Sequence, residues 1–330
     1  MTLLSTLAQL IKPEPPPDPE VAAALDRVIG MVDPLVRAAP RLQKHLAGAV
    51  EHALAYCDGL VGALPGPIEI NRMAFAQDPL VHALFATAGD IDEMLGRSQA
   101  VRDYLERPEC WGSECFCAML AARRNQKKQF GLAQQGDMIR ADVPQEIVYF
   151  SDQTLIEPCS DPQQTRQRLR ARSLESLLTT FNSHVNALRR ERDHLRTDLK
   201  MEQVEVAIRH ENHVQDEVLE SHTRHIVELD FKLRQLSDSM MPEHLVEALA
   251  DFLRQPESAL SLNAVSLRVD RLGIVHTDGD DDSQIHTLNF PELSTRDRRL
   301  HLATLVRVSR AEAAEAVKRA KDRQHRYIII

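Results

Sequence analysis

Between Pro162 and Pro242 the chain contains no proline, and between Gly136 and Gly273 it contains no glycine. These are the two residues that cost most inside a helix, so nothing between them stops a helix cheaply. The spacing predicts one long helix over 161–241, or two helices with a soft break. Unbroken, it would reach on the order of 110–120 Å, wider than a compact domain of this chain length. The remaining segments must then be arranged at or around it. Asp161 before Pro162 marks its start as an N-cap followed by proline at the first helical position, and Met241-Pro242 marks its stop.

Leu174, Leu177, Phe181, Leu188 and Leu195 fall on one stripe of this segment. Leu219, Ile226, Leu229, Leu233, Leu236 and Met240 form another, alternating by three and four. A narrow apolar seam of that kind is the signature of a coiled coil. Glu202, Glu205, Arg209 and Asn212 interrupt it, which predicts a shift of phase or a loosening near 200–217. Residues 163–200 carry nine Arg and Lys against four Asp and Glu, and residues 201–241 carry four against nine. An antiparallel partner, either a second copy or the same helix folded back, sets the basic half against the acidic half. A parallel partner sets like against like. The expectation is a homodimer through an antiparallel coiled coil.

Aromatic residues make up only 4% of the 330 and there are 12 glycines, which favours helix over sheet and speaks against glycine-rich nucleotide loops. The expected fold class is mostly α with small antiparallel β segments, an α+β chain. Its boundaries are an amphipathic helix and Pro-rich spacer at 1–19, a helical domain at 20–108, a β meander at 109–160, the long helix at 161–241, and a helix, hairpin and helix at 242–330. In the meander, Phe116 to Ala122, Gln129 to Gln134, Met138 to Val143 and Ile147 to Phe150 read as short strands, with breaks at 123–126 and 135–137. If the long helix is unbroken, the two β segments are separate heads; if it folds back, they can share one sheet. In the helical domain Asp33-Pro34 and Asp78-Pro79 read as helix starts, and Asp90 with Glu93 as a variant capping box.

The start of the chain lacks the basic region of a signal peptide, and no apolar run approaches the length of a membrane span. Five irregularly spaced cysteines suit reduced thiols in a cytoplasm. Arg outnumbers Lys 32 to 8, as in a GC-rich bacterial genome.

Four constellations bear on chemistry. Cys110, Cys115 and Cys117, with Cys159 at the far end of the meander, form a thiol set that zinc or an iron–sulfur cluster could use, although the spacing is not a pair-and-pair pattern. His210, His213, Glu217 and Glu220 share a helical face, and His222 with His225 makes a three-step pair; such faces ligate metals in helical bundles. Residues 278–282 resemble a calcium loop without its closing glutamate and read better as a hairpin turn. Arg166, Arg168, Arg170, Arg172, Arg189, Arg190, Arg192 and Arg196 could meet phosphates, but no aromatic set accompanies them for base stacking, and the net charge of −9 gives no global nucleic-acid footprint. There is no P-loop, dinucleotide fingerprint, HExxH or GxSxG. The sequence therefore points to a non-catalytic cytoplasmic interaction or scaffold protein with an unidentified protein partner and no required cofactor. A metal or redox protein using the cysteines is the first alternative, and nucleic-acid binding through the basic half-helix the second.

Overall fold

The computed structural model describes residues 18–135, 138–211, 216–276, 285–296 and 299–327. The expected helix at 2–12, the acidic stretch 277–283 and the apolar end 328–330 lie outside them. The elements run α1 (Pro19–Met31), α2 (Pro34–Arg37), α3 (Leu42–Gly62), β1 (Ile68–Glu69), α4 (Arg72–Gln77), α5 (Pro79–Leu84), α6 (Ala88–Arg97), α7 (Gln99–Leu105), β2 (Cys115–Gln135) and β3 (Met138–Cys159). They continue with α8 (Pro162–Glu211), α9 (Asp216–Ser239), α10 (Pro242–Arg254), β4 (Leu260–Val269), β5 (His286–Thr295), β6 (Leu300–Ser309) and α11 (Arg310–Tyr327). Of the described residues 60% are helical and 26% lie in strands, an α+β mix. It divides into two compact units, each made of separated stretches: Met1–Ala55 with Glu175–Gln255, and Tyr56–Leu174 with Pro256–Ile330.

The first unit is helical. Asp33 caps α2 by accepting from the Leu35 N–H at 2.9 Å, as the Asp-Pro start predicts. Asn182 of α8 donates to the Met31 carbonyl at 2.9 Å and accepts from the Asp33 N–H at 3.2 Å, so one amide side chain secures the α1–α2 corner. Leu25, Val28, Val36, Leu46 and Val50 are buried in this unit, as are Leu178, Phe181, Val185, Leu245 and Leu249. The Phe181 and Phe252 ring centroids are 5.7 Å apart.

The long helical segment is not one rod. It is two helices, α8 and α9, and the chain turns back between them. His222 Nδ1 lies 2.7 Å from Glu202 Oε2, although the two residues are 20 apart; on a continuous helix they would be about 30 Å apart. Between 185 and 209 the residues withdrawn from solvent are Val185, Leu188, Arg192, Leu195, Leu199, Glu202, Val206 and Arg209, plus Arg189. Between 219 and 240 they are Leu219, His222, Ile226, Leu229, Leu233, Leu236 and Met240, plus Asp230. Steps of three and four continue through the polar stretch, so the expected change of phase does not occur before Arg209. Glu202 and Arg209 occupy seam positions, Glu205 does not, and Asn212 lies outside the described residues. Of the stripe residues, Leu174, Leu177, Phe181, Leu229 and Met240 are buried, and Leu188, Leu195, Leu219, Ile226, Leu233 and Leu236 are half-buried.

The second unit holds a six-stranded sheet of order β3-β2-β6-β5-β4, with β1 paired in parallel to β6. The two β segments thus belong to one sheet, joined by antiparallel pairing of Cys115–Arg123 with Ser309–His301. On its other edge β6 is shared: Leu300–Leu302 pair with β5, and Val306 and Arg307 pair with β1. Every residue from Phe116 to Ala122 is buried. A strand covered on both faces reads as a continuous apolar run instead of an alternation. Its core includes Phe116, Leu120, Tyr104, Ile91, Phe290 and Val306. Gly96 permits a close approach of α6 to α11, because a Cβ there would stand 2.9 Å from the Ala316 carbonyl oxygen.

The expected four-strand meander is instead a two-stranded ribbon. Arg123, Arg124, Asn125 and Gln126 do not form a turn; they pair with Ser151, Phe150, Tyr149 and Val148. A register shift between Ala121 and Arg123 accommodates the change in surroundings, and polar residues suit a ribbon that has left the covered part of the sheet. Pro144 lies opposite Phe130 in β3, the terminal strand of the sheet order. The capping box of α6 is Thr87 with Asp90, not Asp90 with Glu93.

Candidate metal centre

The strands place Cys117 and Cys159 directly opposite each other. Both are buried, as is Cys110, while Cys115 is half-buried, and all five cysteines are unpaired thiols. Burial raises the pKa of Cys117 against the lowering influence of Arg307, and that of Cys159 against Arg168 and Thr165. Cys110 is raised by burial against Arg310 and Tyr104. Ligand and nucleophile chemistry requires the thiolate, so these sites oppose it. Among the described residues the four sulfurs are not part of any group of three or more ligand atoms that converge. Cys57 on α3 is a buried small hydrophobe, with burial pushing its thiol up to about 12.

Convergence occurs on the hairpin. Ligand atoms of Glu202, Glu205 and His222 all lie within 4.8 Å of one another. Glu202 and Glu205 are three apart on α8, and His222 and His225 are three apart on α9, so each pair shares a helix face. His222 Nδ1 is 2.7 Å from Glu202 Oε2, and His225 Nε2 is 3.9 Å from Glu202 Oε1. Glu202 and His222 are each about four-fifths covered, whereas His225 is half exposed. Arg209 Nη2 sits 2.6 Å from Glu205 Oε1, and this hydrogen bond with the guanidinium charge lowers the Glu205 pKa. Sequence spacing found the His222–His225 pair but not its partners. Glu202 and Glu205 read there as seam interruptions, because only the fold-back brings them to the histidines. The side chains of His210, His213 and Glu217 lie outside the described residues, and Glu220 is exposed.

Much of the basic stretch is engaged internally. Arg166 donates to the Val61 and Leu64 carbonyls, Arg170 Nε is 2.7 Å from Asp58 Oδ1, and Arg168 Nη2 is 3.5 Å from Glu109 Oε2. Arg189 holds both oxygens of Asp33 at 2.6 Å, and Arg192 pairs with Asp193. In the sheet unit a groove of about 650 Å³ lies beside Phe75, His82, Phe150, Leu272 and His286. No described helix is long and apolar enough to cross a membrane.

No protein-family model matches the chain, and neither the curated proteins nor the solved structures contain a match.

Proposed function

We propose that this chain is a non-catalytic cytoplasmic interaction protein that self-associates through its helical hairpin. The observation that supports this is the apolar surface left outside the internal seam. Met201, Val204 and Ile208 recur at three- and four-residue steps along α8, and Val227 and Phe231 are four apart on α9. All five are more than half exposed. An isolated helical pair has no use for a second apolar stripe on each helix, whereas hairpins associating side by side bury such stripes in a bundle. A second copy is the proposed occupant because α8 keeps Arg190 and Arg196 exposed while α9 keeps Glu220 and Glu228 exposed, so antiparallel juxtaposition of two hairpins can bring opposite charges together. This changes how the seam acts. Leu229 is already buried within the chain, so seam substitutions damage the hairpin itself, and the outer stripes are the place to test association.

Light scattering on a sizing column is the test. The native chain is expected to give a dimer mass at micromolar concentration, and Ile208→Ser with Phe231→Ser a monomer mass with unchanged helical circular dichroism. A native chain that is monomeric across the concentration range, or a double variant that remains dimeric, overturns the proposal.

A further inference from the structure

The hairpin seam is filled mainly by aliphatic residues, yet opposite its half-buried Glu202 it places His222 instead of a leucine or isoleucine. A polar pair there costs apolar burial and fixes register, but the surrounding residues go further than a register pair needs. Glu205 and His225 stand one turn from Glu202 and His222 on the same faces, giving Glu-x-x-Glu against His-x-x-His across two helices.

We propose that the hairpin binds one divalent transition-metal ion of the zinc class through Glu202, Glu205 and His222, with His225 as the fourth ligand. Three observations carry this. The first is distance. A tetrahedral zinc ion with bonds of about 2.0–2.2 Å holds its donor atoms about 3.3–3.6 Å apart. The atoms of the three principal ligands are already within 4.8 Å of one another, so side-chain rotation closes the site without moving either helix. The second is donor chemistry. Two carboxylates with imidazole suit zinc and its neighbours, whereas magnesium and calcium take oxygen alone and copper(I) takes sulfur. The third is construction. Side chains projecting from facing helices, each helix contributing an i, i+3 pair, are how bundles build metal sites. The ion takes the place of the direct contact between Glu202 and His222. Glu205 turns from Arg209, an exposed ion pair that is weak in water. Bound metal then ties together two helices whose ligands are 20 residues apart, independently of whether the chain self-associates.

The test is titration of the chelator-stripped full chain with cobalt(II), followed by competition with zinc. One equivalent of cobalt is expected to bind with the weak visible spectrum of oxygen and nitrogen ligands, without the intense near-ultraviolet charge-transfer band of thiolate ligation, and zinc is expected to displace it. His222→Leu restores an apolar seam residue and is expected to lower affinity by at least ~100-fold, beyond what loss of a merely supporting group causes. Glu205→Gln, outside the seam, is expected to lower affinity at least tenfold while leaving the helical signal unchanged, and it decides the matter if His222→Leu fails to fold. Absence of saturable binding, a thiolate spectrum, or affinity unaltered in Glu205→Gln overturns the proposal.

Discussion

The sheet and the helical hairpin bury their residues in different ways. In the sheet, seven consecutive residues of β2 from Phe116 to Ala122 are buried. In the hairpin only every third or fourth residue is withdrawn from solvent, and most of those only halfway. The sheet accordingly leaves charge to its margins, as in the close Arg124–Glu292 pair that joins β2 to β5 with both side chains nearly covered. The seam admits Arg192, Glu202, Arg209 and His222. A half-buried position still offers water to a charged group, and a fully buried one does not. The hairpin can therefore carry polar chemistry in its packing surface, where the sheet core cannot.

The largest effect expected of this contrast is in the core. Phe116 is fully buried with its ring centroid 5.1 Å from that of Tyr104, and Phe116→Ala is expected to cost about 3–5 kcal/mol, read by hydrogen exchange of the β2 amides. Arg124→Ala strands Glu292 in a nearly dry position and is expected to cost about 3 kcal/mol in the same assay; an unchanged exchange rate would remove the buried pair from the account. Asp33→Ala removes both a helix cap and the partner of Arg189, with about 2 kcal/mol expected from urea unfolding of the helical unit. Leu233→Ala, in the half-buried seam, is expected to cost only about 1 kcal/mol. A loss equal to that of Phe116→Ala would break the comparison.

Asp33 also gives the helical unit an acid dependence. Burial raises its pKa, but hydrogen bonds from Arg189 and the Leu35 N–H, with the charges of Arg189 and Arg37, outweigh this and leave it lowered. A carboxylate whose folded pKa lies below its unfolded value stabilises fully above the unfolded value. That contribution fades as pH falls through the lowered folded value. Helical circular dichroism in urea should therefore show a midpoint that falls on acidification, and Asp33→Asn should flatten that fall.

The sequence carried the helix starts clearly, because Asp33-Pro34, Asp78-Pro79 and Asp161-Pro162 are local signals that the backbone obeys directly. It also carried the three-and-four repeat and the presence of strands on both sides of the long helical segment. It did not carry the ribbon across 123–126, since Arg, Asn and Gln read as a turn when the partner strand that pairs with them is unknown. Nor could it choose between rod and hairpin, because an uninterrupted helical composition is compatible with both. The candidate metal centre was half legible for the same reason. His222 and His225 are visible as a pair on one helix, but Glu202 and Glu205 become their neighbours only after the chain reverses.

That reversal is the central claim, and an intrachain distance tests it most directly. Extending the Glu202–His222 register places the exposed Arg196 and Glu228 opposite each other. Spin labels introduced there as unnatural amino acids, leaving the native thiols untouched, would be measured with the labelled chain diluted in excess unlabelled protein so that only distances within one chain contribute. The hairpin predicts a separation of about 20–25 Å, set by two adjacent helix diameters. A separation near 48 Å, the rise of about 32 residues on an unbroken helix, would contradict it.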